Sequence, residues 1–321
     1  MKAIRVHFTA TGSELRMEEV PKPEPAPDQI VVKAQAIGLN RADLGRRRTA
    51  PAGQPEPPTT PGLDVAGTVE SVGSEVRGWR PGEPVTALVR GAYAEYVASR
   101  AVSAYHPPRG MSITDAASLP CVFLTAWYGL KLAGLKPGET VLIHAAGSGV
   151  GMAGIQIARA LGARVLTSAG SDARVARGCQ LGAEAGVNYS AQDVAAELSR
   201  LTRGRGVDVV LDSVGGPVFD ATLKALAVGG RVVTVGGIGG QRSPYEEQSL
   251  AAKGQWVKAV GVYNDAGADT EQKGWAQLKA WLEDGTLHTV VQQVLPWTQA
   301  EAAQKLLTDR AVFGKVVMTV G

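Results

Sequence analysis

The sequence predicts an α/β protein in two parts, a mainly antiparallel β unit and a doubly wound parallel sheet. Three observations predict it. Thr140-Val-Leu-Ile-His-Ala-Ala-Gly-Ser-Gly-Val-Gly151 runs into Met-Ala-Gly-Ile-Gln-Ile-Ala-Arg-Ala-Leu-Gly-Ala-Arg-Val165, which reads as a buried strand, a small-residue turn, an amphipathic helix and a second buried strand. From Thr140 onward, apolar runs of strand length alternate with stretches of helical periodicity. Before Ser103, by contrast, short alternating segments are broken by Pro and Gly, the pattern of antiparallel strands.

Taken in order, strands are expected at Lys2 to Phe8, Gln29 to Ala36, Val65 to Val72, Pro84 to Val89 and Tyr93 to Ala98. Pro51, Pro55, Pro57, Pro58 and Pro61 make the segment from Thr49 to Pro61 a loop. Ser112 to Leu119 opens a helical region, and Leu124 to Leu132 reads as a buried helix. Parallel strands follow at Val141 to His144, Arg164 to Ser168, Glu184 to Asn188, Val207 to Asp212, Gly230 to Gly236 and Gln255 to Val262, with crossover helices between them. A helix at Thr270 to Asp284 and a last strand at Lys315 to Val320 are expected to return to the first domain, leaving the parallel-sheet domain as an insertion.

The chain has 321 residues, 45% of them apolar, enough for two cores. A formal charge of +3 implies neither a nucleic-acid nor a membrane partner. Arg46, Arg47 and Arg48 form the densest basic run, read as a solvated loop. Cys121 and Cys179 cannot make a disulfide framework and suggest a reducing compartment. No apolar run approaches the roughly 20 residues of a membrane span. The N-terminal residues read as an edge strand rather than a secretion signal, so the expected location is the cytoplasm.

The turn after the first parallel strand carries the first chemistry. In Ala146-Gly-Ser-Gly-Val-Gly151, Ala146 and Ser148 take the first two glycine positions of a dinucleotide fingerprint and Gly151 the third; Gly147, Gly149 and Val150 complete the turn. Small residues admit a pyrophosphate close to the backbone, and the helix start attracts its charge. The literal pattern at Gly149, Gly151 and Gly154 starts too far into the helix to serve. An NAD-preferring site places Asp or Glu at the end of the second strand, but that position falls on Ala169. Asp172, three residues later, reads as a helix-start acid. Gly170, Ser171 and Arg174 offer room, a hydroxyl and a guanidinium, all suited to a 2′-phosphate. The expected cofactor is therefore NADPH. None of the four histidines has an evident triad partner.

Across almost its whole length the chain resembles the zinc-independent quinone oxidoreductases of the medium-chain dehydrogenase/reductase superfamily, and within them the NADPH-dependent quinone reductase branch. The segments that carry the likeness are Gly38-Leu-Asn-Arg-Ala-Asp43, Pro61-Gly-Leu-Asp-Val-Ala-Gly67, Pro81-Gly-Glu-Pro-Val85, Gly91-Ala-Tyr-Ala-Glu-Tyr96, Leu124-Thr-Ala-Trp127, His144 to Gly151, Asp212-Ser-Val-Gly-Gly216 and Gly314-Lys315. The resemblance implies a GroES-like, mainly antiparallel β catalytic domain of residues 1–121 and 263–321, a Rossmann domain of residues 122–262, and a homodimer or homotetramer. It places Asn40 and Asp43 in the hydride-acceptor pocket, with Asn40 as a hydrogen-bond donor to a carbonyl oxygen, and the catalytic-side Thr125 near the nicotinamide ring. It pairs Arg174 and Tyr189 with the 2′-phosphate, and sets Ser213, Gly236, Gly237, Val260 and Val262 along the cofactor. Lys315 is expected to reach the cofactor's phosphates, or else to be a surface lysine.

Zinc-dependent relatives hold a catalytic Zn²⁺ with Cys, His and Cys. Those positions match Asn40, Leu63 and Cys121 here, so no metal is expected; Cys121 reads as a buried small apolar residue, and Asp64 as a structural acid orienting Arg41 or a loop. Without a Lewis acid the feasible reaction is hydride donation to a quinone or another activated α,β-unsaturated carbonyl. A 2-enoyl-thioester reductase and a non-catalytic, crystallin-like NADPH-binding protein are the alternatives.

Overall fold

The computed structural model describes residues 1–9, 12–45, 58–236, 245–261 and 267–321. They divide into two compact units, Met1–Val122 with Ala268–Gly321, and Phe123–Gly267. The architecture is the α/β one the sequence predicts: a mixed, mainly antiparallel sheet in the first unit and a parallel sheet in the second.

The first unit begins with β1 (Lys2–Thr9), β2 (Gly12–Glu19), β3 (Gln29–Gly38), the short α1 (Arg41–Leu44), β4 (Asp64–Val72), β5 (Pro84–Leu88), β6 (Tyr96–Arg100), β7 (Ala104–Tyr105) and α2 (Ile113–Ala117). β3 is the spine, pairing antiparallel with β4 along one edge and with β6 along the other. Its Ile30, Val31, Val32, Ala36 and Ile37 are fully buried, each large side chain contributing about 1.5–3 kcal/mol by leaving water. The strand expected from Tyr93 starts at Tyr96, because Tyr93 leaves the ladder to bury its ring in the core. β2 has no counterpart among the strands the sequence predicts. It pairs with β1 in full register, but none of its residues is buried, so no apolar alternation marks it. Ser112 caps α2 by accepting from the Asp115 amide, as its residue type predicts.

The second unit takes α3 (Pro120–Leu132) into β8 (Thr140–Ile143), α4 (Gly149–Ala160), β9 (Arg164–Ala169), α5 (Asp172–Gln180), β10 (Ala185–Asn188), α6 (Val194–Leu201), β11 (Val207–Asp212), α7 (Gly216–Lys224), β12 (Leu226–Thr234), α8 (Glu247–Ala251) and β13 (Trp256–Ala259). The sheet order is β10-β9-β8-β11-β12-β13, with every pair parallel. The order reverses at β8, which makes the carboxyl ends of β8 and β11 the topological switch point where open α/β sheets bind ligands.

The chain then completes the first unit with α9 (Ala268–Glu283), β14 (Val291–Pro296), α10 (Ala300–Thr308) and β15 (Lys315–Thr319). α9 is anchored through Glu271, whose buried carboxylate accepts from Ser103 Oγ at 3.1 Å and Tyr105 Oη at 3.0 Å. Trp275 stacks on Tyr105 with ring centroids 4.6 Å apart and donates to the His106 carbonyl. β14 and α10 also lack a counterpart in the sequence expectation. β14 is a mostly exposed edge strand with two glutamines, without the alternation that reveals a half-buried strand. β15 lies between β14 and β3, pairing antiparallel with β3 at Val317 and Gly38.

Candidate active site

At the carboxyl edge of the parallel sheet, β8 runs into His144, and the chain turns at Ala145 with φ +55°. Ala146 donates its amide to the Ser168 carbonyl at 2.9 Å, which ties the turn to β9. Ser148 caps α4, its Oγ accepting from the Gly151 amide at 2.9 Å. The helix start leaves the first-turn amides of Gly149 and Val150 without an intrahelical acceptor and aimed at incoming negative charge. Gly151 fills the third fingerprint position for a measurable reason: a Cβ there would sit 2.1 Å from the Ala145 carbonyl oxygen. Only glycine lets α4 close on the turn.

Beneath this turn, two segments that carry the family likeness make hydrogen bonds that no spacing pattern reveals. His144 is buried, with Nδ1 2.6 Å from Ser168 Oγ and Nε2 3.0 Å from Thr222 Oγ1, so it stitches β8, β9 and α7 together. Burial pushes its imidazole below the ordinary histidine value, against the pull of the Asp212 carboxylate. The second lies after β11, where Asp212 Oδ1 accepts from the amides of Val214 and Gly215 at 2.8 and 3.0 Å. That turn leaves Ser213 Oγ buried without a hydrogen-bond partner among the described residues. A buried hydroxyl in that state at a ligand-binding edge fits a polar group supplied by a bound molecule.

β9 ends on Ala169, so no carboxylate stands at the tip of the second strand. Ser171 is the N-cap residue of α5, Arg174 lies on that helix's first turn, and the Tyr189 ring lies against Gly170, 3.2 Å from where a Cβ would project. Asp172 opens the helix and accepts from Asn188 Nδ2 at 2.9 Å, in keeping with a helix-start acid. Gly236 follows β12 with φ +67°, and Val260 is buried just beyond β13. Thr125 is buried on α3. Gly237, Val262 and Arg46 to Arg48 lie outside the described residues.

The first unit holds a polar cluster with almost no solvent exposure. Asn40, at the N-cap of α1, is 6% exposed; Asp43 and Lys315 are each 2% exposed and Asp64 is 0% exposed. Lys315 Nζ donates to Asn40 Oδ1 at 2.7 Å and to Asp64 Oδ2 at 3.0 Å. Asn40 Nδ2 donates to Asp64 Oδ2 at 2.9 Å and, at a longer 3.3 Å, to the Gly38 carbonyl. Asp64 Oδ1 accepts from the Cys121 amide at 2.7 Å. Asp43 Oδ2 accepts from the Asn40 amide at 2.9 Å and from Tyr93 Oη at 3.3 Å. Burial is the main cause that pushes the Asp43 carboxyl up to about 7; the negative charge of Asp64 adds to it, and the Asn40 amide and Lys315 work against it.

This geometry corrects three expectations. Lys315, expected at the cofactor's phosphates or on the surface, is buried against Asp64 and Asn40 because Gly314 turns the chain inward with φ +94° immediately before it. Asp64 orients Asn40, Lys315 and the Cys121 amide; Arg41 instead donates to the Leu307 carbonyl at 2.5 Å. Both Asn40 amide hydrogens have acceptors inside the cluster, and the long Gly38 bond is the one weak enough to be redirected to an acceptor carbonyl. Cys121 is half-buried and outside any disulfide, not fully enclosed.

A doubly wound sheet of this strand order, carried on one chain with an antiparallel unit of this topology, is the architecture of nicotinamide-dependent dehydrogenases and reductases. The family model for zinc-binding dehydrogenases matches residues 149–282, and that for the alcohol dehydrogenase GroES-like domain matches residues 26–109. The chain is 33% identical to the quinone oxidoreductase of Sus scrofa over 326 residues, covering 99% of this chain and 97% of that protein. The structure of Escherichia coli quinone oxidoreductase complexed with NADPH superposes with a TM-score of 0.89 at 28% identity, covering 99% of this chain and 100% of that one. The CurK enoyl reductase gives a TM-score of 0.85 at 28% identity, covering 99% of each chain. The chain therefore belongs to the medium-chain dehydrogenase/reductase superfamily of oxidoreductases and is related to its quinone oxidoreductases.

The name of the matched zinc-binding model raises the question of a metal. The donor set does not fit one. A hydrocarbon side chain stands at Leu63, a carboxamide with both ends engaged at Asn40, and an ammonium lies within hydrogen-bond distance of the nearest carboxylate, where it would repel a divalent cation.

Proposed function

We propose that this protein is an NADPH-dependent oxidoreductase that delivers hydride to quinones or other activated α,β-unsaturated carbonyls without a catalytic metal. The observation that carries the reading is the carboxyl edge of β9. It ends on Ala169 with no acid to meet a ribose 2′-hydroxyl, and it is followed by Gly170, Ser171 and Arg174, with Tyr189 alongside. The turn from Ala146 to Gly151 would hold the pyrophosphate at the start of α4, and Ser213, Gly236, Gly237, Val260 and Val262 would line the rest of the cofactor. When bound, NADPH supplies the hydride. Asn40 and Asp43 are proposed to meet the acceptor and Thr125 the nicotinamide; reduction of the acceptor leaves an oxyanion that needs only hydrogen-bond donors and a proton from water. The NADPH complex of the Escherichia coli relative supports the cofactor, and the Sus scrofa relative supports the acceptor class.

A second reading has its own support. The likeness to an enoyl reductase favours a 2-enoyl thioester as the acceptor. NADPH oxidation followed with 9,10-phenanthrenequinone, 1,4-benzoquinone and a crotonyl thioester separates the two. Turnover with quinones alone supports the first reading and preference for the thioester the second. Tight NADPH binding with no turnover would assign a non-catalytic role. The proposal extends to a homodimer or homotetramer in the cytoplasm, supported by the family and by two cysteines that form no disulfide; no helix among the described residues is long and apolar enough to cross a membrane.

A further inference from the structure

The Asp64 carboxylate and the Lys315 ammonium are 251 residues apart in sequence and 3.0 Å apart in the fold, both shut away from water. Burying such a pair gains little stability over an apolar one of the same volume, because the desolvation of both ions offsets their attraction. Something other than stability is therefore needed to account for it.

The hydrogen bonds indicate what. An ammonium only donates and a carboxylate only accepts. With Lys315 on Oδ1 and Asp64 on Nδ2, the Asn40 carboxamide has a single allowed orientation; flipping it would set donor against donor and acceptor against acceptor. The ammonium also draws electron density toward Oδ1, which strengthens the Nδ2 hydrogens as donors. One of those hydrogens is spent on Asp64, while the other makes only the 3.3 Å contact with Gly38. The ammonium has three hydrogens, and two are assigned among the described residues.

We propose that Lys315 is a positioning residue for hydride transfer: held by Asp64, it is the fixed cation of a metal-free site and acts through the Asn40 carboxamide, which it orients and polarises toward the acceptor oxygen. The inference rests on the reductase reading above and names the internal charge that does a metal's electrostatic work. In the step it serves, the C–H bond of the reduced nicotinamide breaks and hydride forms a new C–H bond on the acceptor. The displaced π electrons of the acceptor move to its oxygen, and water supplies the proton. The developing negative charge at that oxygen is what a polarised N–H and a nearby cation stabilise. Below about pH 7 Asp43 keeps its proton and adds little opposing charge, which leaves Asp64 as the main counter-charge of Lys315.

The test removes the charges and leaves the packing. In Lys315→Met combined with Asp64→Asn, an uncharged pair replaces the ion pair, the new carboxamide at position 64 still accepts from the Cys121 amide, and no lone buried ion remains. A second variant, Lys315→Gln with Asp64→Asn, keeps a donor near Asn40 Oδ1 and serves if the first does not fold. The expected result is an unchanged melting temperature and NADPH dissociation constant with kcat for 1,4-benzoquinone reduced about 10- to 100-fold, a fraction of what losing a direct oxyanion donor costs. A folded double variant with wild-type kcat would overturn the proposal, since a purely structural ion pair predicts that outcome. Wild-type protein is assayed first: silence with both quinones and the crotonyl thioester overturns the functional reading and this inference with it, whereas an active wild type and an equally active double variant overturn the inference alone.

Discussion

Tyr93 donates its hydroxyl to Asp43 Oδ2 at 3.3 Å, while the other carboxylate oxygen of Asp43 is buried with no hydrogen-bond partner among the described residues. A carboxyl so enclosed holds its proton to about pH 7, whereas in the unfolded chain it ionises near its ordinary value of 3.8. The folded state therefore binds one proton more than the unfolded state between those values. Stability from this group is complete below about pH 4 and is lost as pH rises toward 7. Asp43→Asn should raise stability at pH 8 by about 2–4 kcal/mol, at about 1.4 kcal/mol for each tenfold change in proton affinity. It should also flatten the dependence of urea midpoints on pH between 4 and 8. Wild-type and variant midpoints with the same pH slope would contradict it.

Gly151 meets the Ala145 carbonyl so closely that Gly151→Ala must push α4 away from β8. The expected cost is about 2–4 kcal/mol, in the range of backbone-displacing core changes. Thermal unfolding reads the loss directly. Titration of NADPH fluorescence should show binding weakened together with stability, because the same displacement moves the amides at the start of α4.

Arg174→Glu separates the two nicotinamide cofactors. Reversing the charge at the first turn of α5 should raise the NADPH dissociation constant about 10- to 100-fold, roughly the worth of one charge-assisted contact and the repulsion that replaces it. NADH, which lacks the 2′-phosphate, should be little affected. Equal weakening of both in calorimetry would remove Arg174 from the phosphate site.

Asn40→Ala deletes the carboxamide and leaves Lys315 bound to Asp64 alone. Turnover should fall about 100-fold, at least as far as in the charge-removed double variant, with the NADPH dissociation constant unchanged, since an oriented donor acts on the acceptor and not on the nucleotide. Complete loss of activity in a folded variant would mean that Asn40 does more than orient a hydrogen bond.

The parallel sheet is legible in the sequence because its signals are local. Val141, Leu142 and Ile143 are fully buried, the small residues of the turn follow them at once, and α4 shows its apolar face within a dozen residues. β2 and β14 are not legible because edge strands need no buried face: Glu14, Arg16, Glu18 and Glu19 interrupt the first, and Gln292 and Gln293 the second. The acceptor side is half legible. Asn40 and Asp43 share one turn of chain, but their partners Asp64, Tyr93 and Lys315 come from three separate strands or loops, and no spacing rule links them. One sign is present: Lys315 opens a strand whose next three residues, Val316, Val317 and Met318, are all apolar, and a charge at the mouth of a buried strand needs an opposite charge inside.

Because β15 supplies Lys315 to a cluster begun at Asn40, the ribosome finishes the Rossmann sheet before it delivers the cation. At about 5–20 residues per second the wait from Asn40 to Lys315 is roughly 15–55 s. During synthesis Asp64 faces a forming core without its counter-ion, while every strand of the parallel sheet has already emerged. Ribosome-bound chains of graded length should thus acquire protease resistance in the nucleotide half first, and in the β unit only after β15 is free of the exit tunnel. Nascent chains would then hold a folded coenzyme fold before they hold a working place to reduce anything.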